Sequence, residues 1–255
     1  MRVISWNLLH ASPVLPGQSP RELDEIFGEI KVDLLALQEV DENQPRTQGA
    51  AHIAKIAEIV GASDWAYART LIGTPGEKWR SARGDETDLH SACREPSYGI
   101  GLISKIPVTK WHRIELGRSI VGLPLLVGGE KRPKFMYVND EPRVAIIAEL
   151  TNGYTVAVTH LSFFPVVNYL QLRKLQRVLK KLPGRKIIMG DLNLPFAIPE
   201  RATRWHSLVA CNSYPSWKPA IQFDYILTEE KFSGTTIELA PMAISDHLPI
   251  GFHFD

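Results

Sequence analysis

Cysteine is scarce in this sequence. Its 255 residues hold two, Cys93 and Cys211, with no C-x-x-C and no repeated spacing, which excludes a disulfide-stapled scaffold. His90 lies near Cys93, but no second pair completes a zinc site, so two unrelated thiols are the expectation. Long apolar runs are missing as well. Nothing approaches the ~20 residues that a membrane-spanning helix needs. The opening Met1-Arg2-Val3-Ile4-Ser5-Trp6-Asn7 has no signal-peptide core. A soluble, cytoplasmic protein without stable membrane association is expected. Charge of one sign is not in excess, with 29 basic residues against 28 acidic ones and a net charge of +1. That balance neither demands nor forbids a nucleic-acid partner, because a groove can be basic on a neutral protein. Repeats and low-complexity segments are absent.

What is present is apolar material, 44% of residues, enough for a sizeable core. Short apolar runs at 3–8, 33–40, 98–104, 143–150, 154–159, 186–189 and 223–227 read as buried strands, and the C-terminal residues as a last one. Asn152-Gly153 between two of them predicts a hairpin. Leu23, Ile26, Phe27 and Ile30 recur at helical spacing, behind an N-cap signal at Ser19 with Pro20. Residues 50–60, closed by Gly61, and 165–182 are predicted helices too. The second carries Arg173, Lys174, Arg177, Lys180 and Lys181 largely on one side, a solvated face before it is an anion-binding one. Helices alternating with strands, plus one hairpin, predict mixed sheets. Residues 72–96 and 117–142 are Gly-, Pro- and charge-rich and read as irregular.

Polar residues gather where the strands stop: Asn7, Glu39, His160, Asp191 with Asn193, Asp224, and Asp246 with His247. A rigid sheet can hold catalytic groups in the loops at its strand ends. Each residue alone has a plainer reading, such as a turn former, a structural histidine or an Asx-turn across Asp191 to Asn193. Together, if the ends converge, they supply four carboxylates, two imidazoles and two amides. Carboxylates without companion cysteines favour a hard cation such as Mg2+ or Mn2+. Glu39 is the best ligand candidate, with Asn7 or Asp246 beside it. Asp224 and His247 would pair as carboxylate and imidazole. Asp191 and Asn193 would point the same way if the extended conformation continued past Gly190.

The ordered blocks Ser5-Trp6-Asn7, Leu37-Gln38-Glu39-Val40, Thr159-His160-Leu161, Gly190-Asp191-Leu192-Asn193, Phe223-Asp224-Tyr225-Ile226 and Ser245-Asp246-His247-Leu248-Pro249 resemble the signature of the endonuclease/exonuclease/phosphatase superfamily. The resemblance runs from the first strand to the last and implies one domain over residues 1–255. It implies a four-layer α/β sandwich of the deoxyribonuclease I-like kind, two packed mixed β-sheets flanked by helices. It further implies a metal-dependent phosphoesterase. Glu39 would be the principal metal ligand, with Asn7 and Asp246 completing or ordering the site. Asp191 would position or activate water, with Asn193 on the phosphate. His247, paired with Asp224, would contact the scissile phosphate, and His160 would be a candidate acid for the leaving oxygen. Tyr98 either reaches substrate or anchors its strand.

The substrate the resemblance implies is a phosphoester, with a phosphodiester in DNA or RNA expected first. A phosphorylated small molecule or lipid headgroup is the alternative, and a non-catalytic binding protein on the same fold the remoter one. Selection would fall to residues 72–96, with Lys78, Trp79, Arg80, Arg83 and Arg94, and 117–142, with Lys131, Arg132, Lys134, Phe135 and Tyr137. Basic groups among aromatics suit nucleic acid, although ordinary loop composition accounts for them as well.

Overall fold

Alternation within the apolar runs decides the architecture. In the first strand Val3 and Ile4 are both buried, but they enter different cores. Leu34 and Ala36 likewise face one side, Leu35 and Leu37 the other. A strand covered on both faces reads as a continuous apolar run, which is why these segments look featureless in sequence.

The computed structural model describes residues 1–14, 22–120, 122–127, 134–239 and 244–255. In chain order the elements are β1 (Arg2–Asn7), α1 (Leu23–Phe27), β2 (Leu34–Glu42), α2 (His52–Val60), β3 (Asp64–Gly73), β4 (Trp79–Ser81), β5 (Ser97–Ser104) and β6 (Val108–Gly117). Then follow β7 (Leu123–Val127), β8 (Lys134–Val138), β9 (Arg143–Leu150), β10 (Tyr154–His160), α3 (Val167–Leu179) and β11 (Arg185–Asp191). The last are α4 (Ile198–Thr203), β12 (His206–Ser207), β13 (Asp224–Thr228), β14 (Gly234–Ile237) and β15 (Ile250–Phe254).

One sheet has the order β14-β15-β1-β2-β5-β3-β4 and the other β12-β13-β11-β10-β9-β6, with β7-β8 a separate ribbon. Both large sheets are mixed: β1 runs parallel to β2 and antiparallel to β15, and β10 runs parallel to β11 and antiparallel to β9. The central core lies between them, where Val3, Leu34 and Ile100 of the first sheet share a cluster with Ile146, Val158 and Met189 of the second. Outside the first sheet pack Ile26 and Phe27 of α1 with Ile53 and Ile56 of α2. Outside the second pack Leu172, Leu175 and Leu179 of α3 with Ala202 of α4. The result is the four-layer α/β sandwich with two mixed sheets that the sequence led us to expect. Among the described residues no helix is long and apolar enough to cross a membrane.

Several elements depart from expectation. β3 and β6 carry no clear period, because Arg69 is buried in β3 and β6 is an edge strand with exposed positions. The 72–96 stretch is not wholly irregular, since β3 reaches Gly73 and pairs with β4. The 117–142 stretch holds the β7–β8 ribbon. Residues Lys131 and Arg132, and the Ser19–Pro20 cap signal, lie outside the described residues. The basic side of α3 is partly structural: Arg173 donates to Ala202 O and Lys174 to Glu115 O, joining α3 to α4 and β6. Gly61 ends α2 in the left-handed region (φ 70°) as its position suggested. The two cysteines are free.

Candidate active site

Register brings the polar strand ends together. His160, Asp191 and Asp224 are direct cross-strand partners on adjacent β10, β11 and β13. Asn7 ends β1 beside Gln38 of β2. Glu39 follows in a β-bulge, where pairing with β5 slips between Leu37 and Val40. Its φ of 55° is unusual for a residue with a side chain, and the bulge takes it out of the strand's alternation. Gly190 serves the close approach of β10 and β11: at φ 141°, a Cβ there would stand 1.9 Å from Thr159 O.

The loop before β15 delivers Asp246 and His247. It is fastened to β1 by Ser245 Oγ donating to Asn7 O (2.6 Å) and Trp6 Nε1 donating to His247 O (3.0 Å). The His247 amide donates in turn to Ser245 Oγ (3.0 Å). This is why an acid and a histidine sit between apolar flanks: Ile244 and Ile250 are core residues that pin the loop.

Within the site, His247 Nδ1 lies 2.7 Å from Asp224 Oδ2, which also accepts from Ser213 Oγ at 2.5 Å. His247 Nε2 stands 3.7 Å from Asp191 Oδ2, and His160 Nε2 stands 3.6 Å from the same oxygen. Asn7 Nδ2 donates to both Glu39 Oε1 (2.9 Å) and Asp191 Oδ2 (3.1 Å), while its Oδ1 accepts from the Leu9 amide (3.1 Å). Asn7 therefore turns its donor, not its ligating oxygen, toward the carboxylates, and it orients them. Asp191 ends its strand, and Asn193 (φ 49°) donates its backbone N–H to Asp191 Oδ1 at 2.9 Å. That is an Asx-turn, not an extended continuation. Asn193 Nδ2 reaches His160 Nε2 (3.2 Å) and Leu161 O (3.0 Å). Glu39, His160, Asp191, Asn193, Asp246 and His247 all line a cavity of about 510 Å³, and Asp224 lies fully buried behind His247.

Burial alone would push the His247 imidazole down, but the charges of Asp224, Asp191 and Asp246 outweigh it and raise it to about 10. Burial lifts the Asp191 carboxyl well above the usual range, against the opposing charge of His247. Asp246 is raised by burial and by Glu39. His160 is driven the other way, chiefly by burial and then by the Arg143 charge, so its ring is neutral. With Asn193 Nδ2 donating to Nε2, the proton belongs on Nδ1.

The donor set fits a hard divalent cation. Glu39 and Asp246 line the same cavity, and burial and the Glu39 charge discourage ionisation of Asp246 in a way a cation would relieve. A second trio, Asp191, Asp224 and His247, offers ligand atoms within 4.8 Å of one another. There Asp224 Oδ2 is already committed to Ser213 and His247, so hydrogen bonding accounts for that grouping.

A family profile described as the Endonuclease/Exonuclease/phosphatase family matches residues 4–247. The chain belongs to that family. Its members are metal-dependent phosphoesterases, hydrolases acting on phosphoester bonds. No curated protein sequence matches the chain significantly. Among solved structures it is similar to an endonuclease/exonuclease/phosphatase from Beutenbergia cavernae (16% identity, 99% of this chain and 71% of that one, TM-score 0.63). It is also similar to the human Nocturnin catalytic domain with bound sulfate (18%, 100% and 94%, 0.61). A third is a Staphylococcus aureus beta toxin mutant with bound magnesium ions (16%, 100% and 99%, 0.60). At these identities the likeness shows the fold.

Sequence reasoning missed Arg46, Glu141, Arg143 and Tyr214, which share the cavity. Arg143 opens a strand and Arg46 follows one, but neither belongs to a motif. Tyr98 is buried in β5 beside Glu39 and lines the cavity.

Proposed function

We propose that residues 1–255 form one domain that hydrolyses a phosphoester by direct attack of water, with Asp191 as base and His247 as the cationic phosphate contact. The observation that carries this is the hydrogen-bonded His247–Asp224 pair at 2.7 Å, its outer nitrogen facing Asp191 across 3.7 Å. Glu39 and Asp246 would hold Mg2+ or Mn2+, which when bound polarises a phosphoryl oxygen and stabilises charge on the leaving oxygen. Asp191, its basicity raised by burial, accepts the proton of the attacking water at Oδ2. Asn7 holds that oxygen, and Asn193 keeps the turn that presents it. The His247 imidazolium donates Nε2–H to the phosphate as negative charge builds and supplies the proton for the leaving group. Asp224 fixes the ring's orientation and favours its charged form. His160, neutral and accepting from Asn193, is a hydrogen-bonding partner of the phosphate pocket rather than the acid that the resemblance implies.

A phosphodiester, as in DNA or RNA, is the first substrate class for this chemistry. A phosphomonoester of a small molecule is the second reading, favoured by the bounded cavity of about 510 Å³. Retention of the whole catalytic set argues against a binding-only protein. The test is hydrolysis with Mg2+ or Mn2+ across single- and double-stranded DNA, abasic-site duplex, RNA, inositol phosphates and a generic phosphodiester, with Asp191→Ala as control. Cleavage lost in the variant supports the proposal. Turnover that persists in folded Asp191→Ala removes Asp191 from its role, and silence across the panel with metal binding intact points to a binding protein.

A further inference from the structure

Two arginines that line the cavity have no part in the reaction above. Arg143 opens β9, and Arg46 lies in the 45–47 turn after β2. Arg143 is 5% exposed, yet its Nε has no hydrogen-bond partner among the described residues. The carboxylates near it are loose partners, Asp140 Oδ1 at 3.7 Å and Glu141 Oε2 at 3.9 Å, both beyond hydrogen-bonding range. Asp140 Oδ1 is itself without a hydrogen-bond partner among the described residues, while its other oxygen accepts from the Ser119 amide and the Ser162 hydroxyl. A guanidinium kept for structure would close on its carboxylate. The Arg143 Nη nitrogens likewise make no hydrogen bond among the described residues, and on a side chain that lines the cavity they are the donors a bound anion would meet.

Arg46 is held differently. Its Nε and Nη2 grip buried Asp41 at 2.7 Å each. That fixes the guanidinium plane and leaves Nη1, which makes no hydrogen bond among the described residues, on a side chain lining the cavity. Both arginines line the same cavity as Glu39, Asp191 and His247. Tyr214 lines it too and packs on Phe223 and His247 (5.6 and 5.0 Å between ring centres), giving the cavity an aromatic surface beside the imidazole.

We propose that Arg46 and Arg143 form a second anion subsite, and that the substrate is a small phosphoester carrying a second phosphoryl group. This rests on the phosphoester reading of the site. The scissile phosphate lies among Glu39, Asp191 and His247, the second phosphoryl group reaches the arginines, and the organic part lies toward Tyr214. A cavity of about 510 Å³ has room for one such ligand.

The test is calorimetric binding, in magnesium buffer, of methylphosphonate and of alkane diphosphonates with one to four methylenes between the phosphonates. Their C–P bonds do not hydrolyse, so binding is read without turnover. One spacer length is expected to bind about 10–100-fold more tightly than methylphosphonate, the scale of one or two charge-assisted hydrogen bonds. Arg143→Gln and Arg46→Gln should each remove most of that advantage, and Arg143→Lys should keep part of it. Equal binding of single and double phosphonates overturns the proposal, as does an advantage that survives both Gln variants, or no binding of either probe. Should the Gln variants unfold, the wild-type ladder and the Lys variant still decide. Failure of the underlying reaction shows separately, as the absence of hydrolysis in the panel above.

Discussion

Around His247 the hydrogen bonds are closed. Its Nδ1 meets Asp224, Ser213 holds the same oxygen, and backbone ties fasten the loop to β1; the other Asp224 oxygen is the one buried exception there. Around Arg143 they are open, with Nε and Asp140 Oδ1 both without a hydrogen-bond partner among the described residues. A group that must act at once is set beforehand, because preorganised dipoles need no rearrangement during reaction. A group that must recognise is left incomplete, so that a ligand supplies the missing partner. One cavity thus joins a part finished by the fold to a part finished by what it binds.

The largest effect is expected from breaking the finished part. His247→Ala should lower turnover by roughly 10²–10⁴-fold, the scale of a positioned proton donor, with magnesium affinity unchanged by calorimetry. Full activity in the folded variant would sink the assignment. Glu39→Ala should do the reverse and weaken metal binding by more than the ~10–100-fold typical of residues that only support a ligand. Gly190→Ala should destabilise the protein by about 3 kcal/mol, as the new methyl meets Thr159 O. Urea unfolding would check this, and a loss under about 0.5 kcal/mol would mean that β10 and β11 yield more easily than their spacing implies.

Acid and base should separate the two parts. The raised imidazole of His247 contributes stability that is full below about 6.5 and fades as pH rises toward about 10. Beside Arg46, burial pushes both His10 and His52 down to about 4. The unfolded chain takes up those protons first, so stability is lost as pH falls from about 6.5 to about 4. For well-buried His52 the loss is up to about 3 kcal/mol, at ~1.4 kcal/mol per pKa unit. His52→Gln should therefore flatten the acid limb of stability measured by urea titration at stepped pH; an unchanged limb would contradict it. The smallest effect is expected at Lys174→Ala, which removes a donor to Glu115 O on the far face of α3 and should leave substrate affinity unaltered in a binding assay.

How much of this was legible in the sequence follows from what each residue does. Strands such as residues 143–150 and 154–159 announced themselves because both faces are buried and an Asn-Gly turn joins them. β3 did not, since its buried Arg69 is neutralised by Glu42 (2.7 Å) from a neighbouring part of the sheet, a partner that no local pattern predicts. The polar strand ends were readable because a carboxylate or imidazole after an apolar run is conspicuous. Their roles were less so. Asn7 reads as completing or ordering the metal site, and only its hydrogen bonds show the donor turned to Glu39 and Asp191 and the oxygen to the Leu9 amide. His160 reads as a candidate acid, while burial and the Arg143 charge lower the basicity of its ring. Arg46 and Arg143 were invisible, because an arginine near a strand end has no signature until its hydrogen bonds can be counted.

The bond from Ser245 to the Asn7 carbonyl spans 238 positions, and β15 pairs with β1 across nearly the whole chain. During synthesis β1 emerges early and gains β2 on one side soon after, while its other edge waits for almost everything else. Until β15 arrives that edge is a bare template for strand addition, the kind of surface on which nascent chains aggregate or engage chaperones. The final ten or so residues of the sheet therefore act as a closing clasp. A ribosome stalled short of them would carry a protein with most of its core and without the His247–Asp224 pair.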